Sequence, residues 1–160
     1  MSIVSLIVME PGSSWPGHVG NTENVVAAGT DEEGLLPRTE HMVEALLGRH
    51  QAVRVAVLAC NDATDAASAG RRAEIARVLL HAVASSAFGR LVLCADPDAS
   101  MRLRHQLLSL AGALIRELED TTATVALRFG GTGEESHLPA SVLTKGRGGE
   151  RRTIAAGARS

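Results

Sequence analysis

Four short, almost uninterrupted apolar runs set the limits on how this chain can fold: Ile3–Met9 (IVSLIVM), Val53–Cys60 (VRVAVLAC), Leu91–Ala95 (LVLCA) and Ala123–Phe129 (ATVALRF). Each is rich in β-branched or leucine side chains at consecutive positions. A strand of that pattern is buried on both faces, which is the habit of parallel sheets. The segments between the runs change period. Pro37 or Arg38 to Arg49 sets Met42, Val43, Leu46 and Leu47 on one side. Gly70–Ala87 places Ile75, Val78, Leu79, Ala82, Val83 and Ser86 at helical spacing, with Arg71, Arg72 and Arg77 off that face. Met101–Glu119 is the longest such segment. Strand, helix, strand, helix in alternation implies right-handed crossovers. The expected fold is a three-layer α/β/α Rossmann-like domain with a mainly parallel sheet of at least four strands. It should span residues 1–133, followed by a Gly/Arg-rich tail over 134–160. The connection from Glu10 to Leu36 is long and glycine-rich, and Val25–Ala28 within it suits a short strand or a helical turn.

Composition narrows the function classes. With 45% hydrophobic and 21% charged residues the chain has enough apolar surface to fold. No apolar run nears the ~20 residues of a membrane span. Met1 to Met9 lacks the basic start of a signal peptide. Cys60 and Cys94 each end an apolar run, so both are expected in the core of a cytoplasmic protein, and no second pair offers zinc-finger spacing. Residues 145–160 carry five basic side chains against Glu150, or +4, which leaves −6 for the rest of a chain whose total is −2. An acidic body with Trp15, Phe88 and Phe129 as its aromatics has neither the charge nor the stacking surfaces that nucleic acids need.

Ligands of open α/β sheets bind outside the carboxyl ends of the strands. The residues falling there are Glu10, the Cys60-Asn61-Asp62 turn, Asp96 and Asp98, and the loop Gly130, Gly131, Thr132, Gly133. Carboxylates that share an edge repel unless a cation offsets them. Glu10, Asp96 and Asp98 are therefore candidate ligands for Mg²⁺, with Glu10, Asp62, Asp96 and Asp98 as the candidate catalytic acids and the glycine loop as a phosphate cradle. The same Asp and Asn residues also suit helix capping. Trp15 and His18 sit on the long first connection, which could form a lid and line a ligand. Of the remaining histidines, His41, His50, His81, His105 and His137, none is spaced from another as helical metal ligands are.

The pieces Met9-Glu10-Pro11-Gly12 and Ala95-Asp96-Pro97-Asp98 resemble the Toprim domain of topoisomerases, primases and OLD-type nucleases. That family has a Glu after its first strand and an Asp-x-Asp after a later one; it usually has Gly where this chain has Pro11. The resemblance implies phosphoester chemistry with a divalent metal. The block Ala56-Val57-Leu58-Ala59-Cys60 instead resembles the nucleophile strand of caspase-like and CHAT cysteine peptidases, which implies a hydrolase using Cys60 with His18 as its base. A third expectation is a non-catalytic, self-associating module. On the last helix Leu103, Leu107, Leu110, Ala111, Leu114 and Leu118 share one arc, and Met101, Leu108 and Ile115 widen it beyond what one sheet face covers. That excess predicts a homodimer through the Met101–Glu119 helix.

Overall fold

The computed structural model describes residues 3–14, 23–28, 33–118, 122–130 and 135–139. Its elements run β1 (Ile3–Met9), β2 (Glu23–Ala28), α1 (Leu35–Gly48), β3 (Ala52–Ala59), α2 (Ala66–Ala84), β4 (Arg90–Ala95), α3 (Met101–Glu117), β5 (Thr124–Phe129) and β6 (Glu135–Pro139). The sheet order is β2-β1-β3-β4-β5-β6. The first five strands are parallel, and β6 joins β5 antiparallel. This is the Rossmann-like α/β class that the alternating pattern implies.

The order also fixes where the helices lie. The crossovers β2-α1-β3, β3-α2-β4 and β4-α3-β5 all advance in one direction across the sheet. Right-handed connections then deposit all three helices on one face. Contacts of α1 with α2 and of α2 with α3 agree. The main core fills this interface: Leu6, Val8, Ala56, Leu58, Leu91, Leu93 and Val125 from the strands meet Leu46, Ile75, Leu79, Val83, Leu103, Leu107 and Leu114 from the helices. The alternate strand residues Ile7, Val57, Val92, Cys94 and Ala126 make a second, smaller cluster on the opposite face, and they too are buried. Burial of both sets is why the runs read as continuous rather than alternating. Of the three expected layers, the described residues supply the sheet and one helical layer.

Several boundaries move, each for a local reason. Helix α2 begins at Ala66 rather than Gly70, because Asp65 caps it: the carboxylate accepts the Ser68 N–H at 3.1 Å and the Ser68 hydroxyl at 2.8 Å. At the other end, Phe88 takes a left-handed φ of 58°. The following Gly89 lies so close to the Val83 carbonyl that a Cβ there would stand 2.0 Å from its oxygen. The segment around Val25 is a strand, and β6 lies inside the region read as tail. Proline has no N–H to give to a ladder, and an outer strand tolerates it, as β6 does at Pro139. The widened arc of α3 also divides: Ile115 is fully buried, whereas Met101 and Leu108 are 64% and 52% exposed. Ile115 belongs to the main core, and Met101 and Leu108 remain at the surface of the helix.

Candidate functional site at the strand ends

Strands β1, β3, β4 and β5 are consecutive in the sheet, so their trailing turns stand in a row along one edge. At about 4.8 Å per strand the row is roughly 14 Å long. From β1 the chain moves outward to β2, and from β3 it moves the opposite way to β4. The reversal falls between the ends of β1 and β3, the position at which doubly wound sheets usually bind ligands.

Glu10 lies at this switch point, directly after β1. Its N–H continues the ladder to the Ala59 carbonyl at 3.0 Å, and its side chain is buried. Arg72 of α2 grips the carboxylate with two bonds, Nε to Oε2 at 2.9 Å and Nη2 to Oε1 at 2.8 Å. The Asn61 backbone N–H adds a third, to Oε1 at 2.8 Å. Arg72 Nη2 also reaches Asn61 Oδ1 at 3.3 Å and the Ala63 carbonyl at 3.1 Å. Asn61 closes the circle: its Nδ2 donates to the Pro11 carbonyl at 2.8 Å and its Oδ1 accepts from the Ala63 N–H at 3.0 Å. A turn with Gly12 at φ 80° brings the Ser13 N–H and hydroxyl back to the Glu10 carbonyl. One buried, bidentate ion pair thus ties together the turns after β1 and β3 and the helix that follows.

This pair corrects the sequence reading of Arg72, which had placed it off the core face. Counting from Ala66, Arg72 leads Ile75, Ala76 and Leu79 by three, four and seven residues, which is the phase of the core. A basic residue in that phase, beside a strand that ends in a buried acid, is the signal that identifies it. The pairing also changes what Glu10 can do. Both of its oxygens already receive N–H donors, and a buried carboxylate that loses its partner is costly.

The other acids lie farther along the row. Asp62 and Asp98 are exposed and Asp96 is half-buried. The turn holding Asp96 is stiff: Arg104 donates to the carbonyls of Ala99 at 3.0 Å and of Pro97, and its guanidinium stacks 4.4 Å from the Phe129 ring centroid. Ser100 caps α3 through the Leu103 N–H. Gly130, at φ 110°, donates to the Ala95 carbonyl at 2.9 Å and packs against Pro97. Glu10 and Asp96 follow strands two positions apart, about 10 Å at the backbone. Octahedral Mg²⁺ holds its oxygens at ~2.1 Å. Among the described residues no three His, Cys, Asp or Glu side chains gather around a common point, so Glu10, Asp96 and Asp98 are not brought together as a ready-made cage. Trp15, His18, Gly131, Thr132 and Gly133 lie outside the described residues.

Cys60 sits beside the network but is placed as a core thiol. It is buried, with Sγ 3.7 Å from the Leu58 carbonyl. Burial pushes its pKa well above the ordinary thiol value, the negative charge of Glu10 and the neighbouring Cys94 push the same way, and the Arg72 guanidinium opposes them only in part. A nucleophilic thiol needs the opposite environment. Cys94 belongs to the cluster on the far face of the sheet, and neither cysteine forms a disulfide.

Comparison with protein-family models, with curated proteins and with solved structures gives no match for this chain. The likenesses to Toprim domains and to CHAT peptidases therefore rest on the short motifs alone, and the conclusion carried by the coordinates is a parallel, Rossmann-like α/β domain whose switch point is closed underneath by a Glu10–Arg72–Asn61 network.

Proposed function

We propose that this domain binds a small phosphorylated ligand along the carboxyl edge of β1, β3 and β4, with Mg²⁺ bridging the phosphate to the rim carboxylates. The observation that carries this reading is the reversal of strand order between β1 and β3, the point at which open α/β sheets usually provide a ligand crevice. The buried ion pair beneath it serves as a rigid floor rather than as chemistry. Asp62, Asp96 and Asp98 supply the rim. Mg²⁺ commonly keeps several waters and takes one or two carboxylates plus ligand phosphates, so it does not require a three-residue protein cage. The bound ion would neutralise the phosphate against an acidic body. The role is binding: Glu10 is held by Arg72, and Cys60 is held as a neutral thiol.

Calorimetric titration with ADP as the probe, with Mg²⁺ and then with EDTA, tests the reading. Saturable binding is expected with Mg²⁺. Chelation, or the Asp96→Asn/Asp98→Asn double variant, should weaken it at least about tenfold, or ~1.4 kcal/mol. No heat of binding up to millimolar ADP, or equal binding by the double variant, removes the proposal.

A further inference from the structure

A second recess lies away from the strand ends, between α1 and the outer strand β2. It encloses about 740 Å³ and is lined on one side by Val25 of β2 and on the other by a stripe of α1. Its floor is apolar, from Val25, Met42, Ala45 and Leu46. Its rim is basic: Arg38, His41 and Arg49 all border it, all are exposed, and among the described residues no acidic side chain lines it. That sign is opposite to the −6 of the chain before residue 145. The strand bordering the recess is also unusual. Among the described residues β2 pairs only with β1, which leaves its other backbone edge without a ladder. Natural proteins blunt or cover such edges, or use them to accept a strand.

We propose that the recess and the β2 edge together form a docking site for an extended acidic peptide segment of a partner protein, added as a strand to β2. Backbone pairing to β2 would supply affinity, and alternate side chains would point over the recess. An apolar side chain would enter between Val25, Met42 and Leu46. Arg38 on α1 and Arg49 at its C-cap are eleven residues apart, about 16 Å along the helix. Two acids four positions apart on a strand span about 13 Å on one face, and arginine side chains close the remainder. The partner segment is thus acid-x-apolar-x-acid. Charge disfavours two other occupants. Residues 145–160 of this chain are basic, at +4, and a second copy would set the same arginines against its own.

The test is fluorescence anisotropy with the labelled heptapeptide Ser-Glu-Thr-Leu-Thr-Glu-Ser. Two control peptides are used, one with lysine in place of glutamate and one with an N-methylated leucine that cannot donate to a ladder. The protein carries wild-type sequence or the exposed charge reversals Arg38→Glu/Arg49→Glu, whose fold is checked by circular dichroism. Saturable, salt-sensitive binding of the acidic peptide is expected, weakened at least about tenfold by either control or by the charge reversals. No saturation at millimolar protein, or equal binding of the lysine peptide, overturns the proposal. So does sedimentation as a dimer that the charge reversals leave intact while the peptide fails to bind, which assigns the edge to a second copy instead.

Discussion

The Glu10–Arg72 pair is the residue on which the two halves of the sheet depend, and its energetics are asymmetric. Removing one partner strands a buried charge, at a cost of ~3–5 kcal/mol, whereas replacing both costs far less. Arg72→Met alone should therefore lower the denaturation midpoint severely. Glu10→Gln with Arg72→Met should recover much of the loss, since a glutamine oxygen still accepts from the Asn61 N–H. Urea denaturation of the wild type, the two single variants and the double variant measures the coupling; additive losses would mean that the pair contributes nothing as a pair. Cys60 gives a second test at this scale. With its pKa raised, the fold holds the proton while the unfolded chain releases it near pH 8.5. The thiol's contribution is thus complete below that pH and is lost as pH rises through the folded value. Stability should decline in the alkaline range for the wild type and less so for Cys60→Ala, and alkylation of the native thiol at neutral pH should be slow. Rapid alkylation of Cys60 in the folded protein would contradict the buried placement.

At the scale of the element, the helices carry glycines where none is needed. Gly70 and Gly112 lie inside α2 and α3, and a Cβ at Gly70 meets nothing within 4 Å, at Gly112 only the end of Arg116 at 3.8 Å. Each change to alanine should stabilise by ~0.5–1 kcal/mol, which for a chain of this size raises Tm by roughly 1–4 °C. Gly89→Ala should do the reverse, because its Cβ would run into the Val83 carbonyl. Differential scanning calorimetry separates the three, and a destabilised Gly70→Ala would show that the helix is constrained by something other than propensity. Legibility also follows elements. The runs that became β1, β3, β4 and β5 were readable because burial on both faces leaves a continuous apolar run, and their short length and the β-branched residues of β1 and β3 separate them from buried helices. β2 was ambiguous because Val25 and Ala27 face the helices while Val26 is exposed, a short alternation also compatible with a turn. β6 was invisible: Glu-Ser-His-Leu-Pro has one apolar side chain, and its pairing with β5 is a matter of backbone. Of the site, the strand-end positions of Glu10, Asn61, Asp62, Asp96 and Asp98 were legible. The Glu10–Arg72 bond joins residues 62 positions apart and depends on a strand order that no local pattern encodes.

For the whole molecule, strand order sets a gradient of stability. Strands β1, β3, β4 and β5 have ladder partners on both sides, and the helical layer covers one of their faces. β2 and β6 are the outer strands among the described residues, each with one partner. Opening free energies in native-state exchange rise from edges toward the core, with the most protected amides approaching the global value. Amides of Leu58 and Leu93 should therefore exchange only through global unfolding, those of β2 and β6 through local opening, and the Asn61 amide should group with the core because it is bonded to the Glu10 carboxylate. The last of these is the discriminating measurement. A turn residue next to a strand end ordinarily exchanges fast, so slow exchange at Asn61 that is lost in a Glu10→Leu/Arg72→Met double variant, which removes both the acceptor and the ion pair, would show that the Glu10–Arg72 network locks the floor of the strand-end site. Fast exchange at Asn61 in the wild type would mean that this floor opens independently of the sheet, and a crevice with a loose floor cannot hold a ligand in a fixed position.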